Sequence, residues 1–123
     1  EGISEALHQE LAPLGIRVTV VEPGFFRTDF LDEQSLIKTE LELSDYDDTV
    51  GKMRKFAEGA NHAQPGDPLK FAEAMLALVN APNPPQRLAM GSDTVAVVGE
   101  KNRFVDAESA EWKELSISTD FKV

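Results

Sequence analysis

Ile16-Arg17-Val18-Thr19-Val20-Val21-Glu22-Pro23-Gly24 is the stretch on which the reading of this chain turns. β-Branched residues dominate positions 16–22, and the run is short, which marks a strand rather than a helix. Val20 and Val21 adjoin, so the spacing predicts a parallel strand covered on both faces. Pro23-Gly24 then terminates it. Just upstream, Ile3, Ala6, Leu7 and Leu11 recur at helical spacing. They predict an amphipathic helix from Glu1 to about Leu14, with Gly15 suited to the left-handed position after its end. That helix has no capping residue ahead of it, so an upstream part is expected to be missing. A helix, a tight turn and a buried strand indicate a layered α/β fold.

Further along, positions 25–63 are polar and loosely specified. Val50, Met53 and Phe56 support a helix from Tyr46 to Glu58. Asn61 to Asp67 reads as a turn. Asp67-Pro68 is a helix start, because the carboxylate can cap orphan N–H groups and proline suits the first turn. The helix it opens, Leu69 to Asn80, gathers Phe71, Ala72, Met75, Leu76 and Val79 on one side. A proline-rich connection leads to a second short strand, Arg87 to Gly91. Ser92 or Asp93 is then expected to cap a long helix running toward Leu115. The tail from Ser116 to Val123 has no clear pattern. Two strands separated by helices cannot close a parallel sheet. The expected fold class is therefore α/β: the C-terminal part of a Rossmann-like parallel sheet, with two strands and about four to five helices, incomplete without an upstream half.

Composition narrows the function. The 123 residues fit a single domain, and 41% hydrophobic residues are too many for a disordered tail. No apolar run reaches membrane-spanning length, and the N-terminus does not resemble a signal peptide. The absence of cysteine excludes disulfides, thiolate metal sites and a cysteine nucleophile. A net charge of -10 argues against binding nucleic acid or an anionic membrane surface. Asp29 to Asp48 holds eight acids and one base, Lys38. This block reads as a solvated surface segment. The alternative, a metal or cationic-partner site, lacks a fixed ligand spacing and any histidine within the block, so no metal site is expected.

Several stretches carry a family likeness. Glu1 to Leu7 followed by Gly15-Ile16-Arg17-Val18-Thr19-Val20-Val21-Glu22-Pro23-Gly24-Phe25-Phe26-Arg27-Thr28 resembles the short-chain dehydrogenase/reductase family. Gly66-Asp67-Pro68, Pro84-Pro85-Gln86-Arg87-Leu88 and Trp112 to Ser116 are similar to it as well. The resemblance implies that the backbone around Phe25 and Phe26 faces the carboxamide of a nicotinamide cofactor, NAD or NADP. It gives Pro23, Gly24, Phe25, Phe26 and Thr28 as cofactor-binding residues. Thr28 would donate to the carboxamide or pyrophosphate and cap the next helix. The position agrees with the rule that ligands bind beyond the carboxyl ends of parallel strands, and Gly24 permits close backbone approach. The alternative reading of the same residues is an ordinary turn and an ordinary cap.

The family's glycine-rich phosphate turn, catalytic serine and Tyr-x-x-x-Lys pair do not occur. No catalytic residue is therefore assigned. The single tyrosine, Tyr46, has Val50 four residues on and reads as a packing residue. His8 is expected to be solvated, and His62 to lie in the substrate-lid-like segment, 28–65. Phe25, Phe26, Phe30 and Leu31 read either as an apolar wall over the nicotinamide or as ordinary packing.

Residues 1–123 are thus expected to be the C-terminal portion of an NAD(P)-dependent oxidoreductase acting on a small carbonyl or alcohol substrate. By analogy, Gly66-Asp67-Pro68 and the Trp112 pattern look closest to members that act on hydrophobic alcohols or ketones. The chain alone is expected to be inactive, to bind NAD or NADP weakly or not at all, and to be cytoplasmic. A homo-oligomer or the missing N-terminal half is its expected partner. The competing reading is a non-catalytic interaction module derived from such an enzyme.

Overall fold

A computed structural model describes residues 1–121. Four α-helices and two strands follow in the order α1 (Gly2–Leu11), β1 (Val20–Pro23), α2 (Lys52–Ala60), α3 (Pro68–Val79), β2 (Arg87–Met90) and α4 (Ser92–Ile117). The strands pair in parallel, Val20 opposite Arg87 through Pro23 opposite Met90. Two parallel strands in an open sheet with four helices are the α/β class that the sequence indicated.

Local chemistry explains where the boundaries differ from expectation. α1 stops at Leu11 because Pro13 has no N–H to continue the ladder. One 3-10 turn, Ala12–Leu14, follows, and Gly15 adopts a left-handed φ of 73°. The first strand is shorter than the expected 16–22. Its cross-strand bonding begins with Val20 N–H, which donates to Gln86 O at 2.8 Å. Extended backward, the register would set residues 17 and 18 against Pro84 and Pro85, which have no amide hydrogen to give. Side chains take over instead: the Thr19 hydroxyl donates to Pro85 O at 2.7 Å, and the Arg17 guanidinium to Ala81 O at 3.0 Å.

The expected helix from Tyr46 to Glu58 is interrupted. A 3-10 turn, Ser44–Tyr46, runs into a wide π turn, Asp47–Gly51, before α2 begins. α3 opens as its sequence indicates: the Asp67 carboxylate accepts from Leu69 N–H at 2.9 Å and also from Lys70 N–H. α4 departs from expectation. Gly91 is its cap position, and neither Ser92 nor Asp93 caps it through a side chain. The Asp93 carboxylate turns across to another element, as described below. α4 also takes in the first part of the expected tail, and residues 122 and 123 lie outside the described range.

The interior is thin. Met90, 8% exposed, is the one large apolar side chain buried among the described residues. Val20 and Val21 are half-buried, not covered on both faces. The accessible surface is 10265 Å². A folded monomer of this mass would expose about 6,500 Å².

Candidate functional site

The loop after β1 is fixed from both sides. Gly24 N–H donates to Met90 O at 2.8 Å, carrying the pairing with β2 one step further. Phe25 N–H donates to Asp93 Oδ2 at 2.7 Å. The same carboxylate lies against Gly24, where any Cβ would fall on it. Only glycine permits that approach. The Phe25 amide bond holds the Asp93 carboxyl below its ordinary range, since it favours the charged form, against a smaller opposing effect of burial.

One residue further, the chain makes a second, isolated parallel bridge between Phe26 and Gly66. Gly66 N–H donates to Phe25 O at 3.0 Å, and Arg27 N–H donates to Gly66 O at 2.9 Å. In parallel pairing such bonds use the residues flanking the bridge, so Phe26 turns its own N–H and C=O away from Gly66. Neither group has a hydrogen-bond partner among the described residues. Gly66 admits no side chain: a Cβ there would lie 2.6 Å from the Phe26 ring. Thr28 Oγ1 accepts from Phe30 N–H at 3.4 Å, capping a 3-10 turn over Asp29–Leu31, which leaves its hydroxyl hydrogen free to donate.

Pro23, Gly24, Phe25, Phe26 and Thr28 all border one cleft of about 570 Å³. Phe30, Leu31, Phe71 and Val97 complete a largely apolar lining. Phe25 and Phe26 serve the wall and the packing together: Phe25 stands edge-on to Phe56 at 5.5 Å, and Phe26 to Phe71 at 4.8 Å. A smaller apolar cleft of about 380 Å³ shares Phe25 and Leu31 and runs on toward Ile37, Val50 and Met53. A third, of about 670 Å³, lies between residues 38–47 and α2. Charged pairs cross it, Lys38 to Glu58 at 2.6 Å and Arg54 to Glu42 at 2.7 Å. The Lys38 bond lowers the Glu58 pKa.

Other residues singled out from sequence fall elsewhere. His8 is half-buried, with Nδ1 3.3 Å from Val18 O, rather than solvated. Tyr46 is exposed and borders only the charged cleft. His62 lies in the 28–65 segment, with Nε2 3.0 Å from Asp32 Oδ1. Asp29, Asp32 and His62 bring their potential ligand atoms within 4.8 Å of one another, so the fold supplies the acidic block with a histidine from outside it. Sequence reasoning did not place two residues, Asp93 and Gln64, at the cleft. Asp93 looked like a helix cap, and Gln64 looked like part of a turn.

A parallel pair, a glycine-lined loop beyond the carboxyl end of β1 and an apolar cleft at that point define an α/β segment of the Rossmann type. The crystal structure of a short-chain dehydrogenase from Streptomyces avermitilis matches it with a TM-score of 0.78 at 37% identity, covering 97% of this chain and 42% of that one. An oxidoreductase of Botryotinia fuckeliana, BOA17, is 33% identical over 118 residues, which are 96% of this chain and 42% of that protein. A 3-ketodihydrosphingosine reductase of Bacteroides thetaiotaomicron is 34% identical over 91 residues, covering 74% of this chain and 34% of the reductase. No family model matches the chain. The chain belongs to the short-chain dehydrogenase/reductase family, and it spans 42% of the length of the first two relatives.

Proposed function

We propose that this chain forms the nicotinamide edge and much of the substrate wall of an NAD(P)-dependent oxidoreductase acting on a carbonyl or alcohol carbon. The supporting observation is the Phe26 backbone. Its N–H and C=O are turned away from the Gly66 bridge, as a planar carboxamide requires of its partner. Thr28 has a hydroxyl hydrogen to spare on the same cleft. These residues fit the amide end of the cofactor. When bound, the cofactor supplies or accepts the hydride. The chain's own residues orient the amide and keep water from the reacting face with Phe25, Phe26, Phe30 and Leu31. Two apolar clefts sharing a wall suit a hydrophobic substrate, in keeping with a relative named for reducing 3-ketodihydrosphingosine.

Fluorescence titration with NADH and NADPH tests the reading in a protein that joins this chain to a half carrying the glycine-rich phosphate turn, since residues 1–123 alone are expected to bind either nucleotide weakly or not at all. Replacing Thr28 with Ala should weaken binding about tenfold, the cost of one such hydrogen bond. Unchanged affinity in that variant would remove Thr28 from the site. Residues 1–123 alone should not turn over NADH or NADPH with ketones, because they include no Tyr-x-x-x-Lys pair and no glycine-rich phosphate turn. Turnover above background would overturn that part of the proposal.

The accessible surface favours a second reading, a non-catalytic assembly module. An excess of roughly 3,700 Å² over a closed monomer is larger than a standard protein interface buries. On this reading the chain associates and binds no nucleotide. A compact monomer at micromolar concentration in sedimentation would exclude it.

A further inference from the structure

α4 leaves the body of the molecule soon after it starts. Asp93, Thr94, Val98 and Gly99 are half-buried, but from Glu100 to its end at Ile117 every residue is exposed. That free part is about 27 Å long at 1.5 Å per residue. Its surface is not uniformly polar. Val97, Phe104, Val105, Trp112 and Leu115 are all exposed and fall within roughly a 100° arc of the helix. Helices of this length draw most of their stability from packing such an arc against something else.

Two charges stand inside the apolar arc, Lys101 and Glu108. The residues one turn from Lys101 are Val97, Val98, Phe104 and Val105, so no acid on its own helix can reach it. Those one turn from Glu108 are Phe104, Val105, Glu111 and Trp112, which include no base. Neither forms an ion pair among the described residues. The Lys101 ammonium lies over the Phe104 ring, 5.3 Å from its centre, and so follows the arc.

The placement of these charges selects a partner. Lys101 and Glu108 are equally far from the step between Phe104 and Val105, and so are Val97 and Trp112. A two-fold axis through that step sets each lysine against a glutamate and each apolar residue against another. Parallel pairing would set lysine against lysine and glutamate against glutamate, which repel. An anionic membrane surface is disfavoured by Glu108 and Glu111 on the same side and by the net charge of -10.

We propose that α4 docks antiparallel on α4 of a second copy of this chain, with Lys101 of each copy against Glu108 of the other. The contact is isologous, as a closed dimer requires. It stands whether or not the chain binds a nucleotide.

The full chain has no cysteine, so single thiols report the contact cleanly. Val105→Cys lies at the axis, and Ala110→Cys on the opposite side of α4 is the control. Under mild oxidation Val105→Cys should form a disulfide-linked dimer about tenfold faster than the control, because pairing holds its thiols together. Charge reversal then reads the register by sedimentation of the cysteine-free chain. Lys101→Glu and Glu108→Lys each turn two attractions into two repulsions and should weaken association about tenfold. The double reversal, or an equal mixture of the two single variants, should restore it. Equal crosslinking at positions 105 and 110, indifference to either reversal, or failure of both rescues would overturn the proposal. The Val105→Cys crosslink should also form in the joined protein; its loss there would give this face to the other half and overturn the proposal as well.

Discussion

Asp93 Oδ2 takes the Phe25 amide at 2.7 Å, while its carboxylate fills the space over both Gly24 and Gly91. Two segments far apart in sequence, Gly24-Phe25 and Gly91 to Asp93, therefore share one small volume. Gly24→Ala should destabilise the protein by about 1–3 kcal/mol, because the new methyl must displace Asp93. In an Asp93→Ala background the same change should cost much less, since the obstructing group is gone. A double-mutant cycle in urea reads this non-additivity. The lowered Asp93 pKa sets a pH dependence. A carboxyl whose folded pKa is depressed stabilises the fold above its ordinary value of 3.8 and loses that contribution as pH falls through the folded value. Unfolding midpoints of the parent should thus fall more steeply below pH 4 than those of Asp93→Asn. Parallel curves would mean that the charge on Asp93 contributes nothing to the loop.

At the level of elements, α3 offers the clearest test. Asp67 caps it through Leu69 and Lys70, and Asp67→Ala should cost about 1 kcal/mol in urea unfolding. Asp67→Ser, which retains an acceptor, should recover most of that. The cap was legible from sequence because donor, acceptor and proline lie within three residues of one another. Pro23-Gly24 and Gly15 were legible for the same reason. Strand limits were less so, because β1 depends on what stands across from it, and Pro84-Pro85 refuses the pairing that residues 17 and 18 would need. The π turn at Asp47–Gly51 follows no local signal, and α2 begins only after it. Asp93 was misread because a carboxylate at a helix start has an obvious local use, while its actual partner lies 68 residues away. Gln64 gave no signal at all, since its burial is conferred by residues distant in sequence. Arg87 shows the same long reach: it joins Glu1 at 2.6 Å and Glu5 at 2.7 Å, tying α1 to β2, and those two bonds raise its pKa.

Across the whole molecule, apolar side chains face outward on every layer. Ile3 on α1 is 79% exposed, Val79 on α3 76% and Leu115 on α4 61%. Both strands of a two-stranded sheet are edge strands, and open edges invite pairing with another chain. We expect residues 1–123 in isolation to associate in a concentration-dependent manner and to bind a hydrophobic dye strongly, as sedimentation velocity and dye fluorescence will read. A dye-silent monomer across the micromolar range would contradict this. The Phe26–Gly66 bridge bears on the same architecture in another way. By pinching the chain shut at the neck, it makes everything between those two residues a closed cassette. Loop length beyond such a closure weighs little on stability. Relatives could therefore exchange the cassette to suit new ligands without disturbing the strands beneath it.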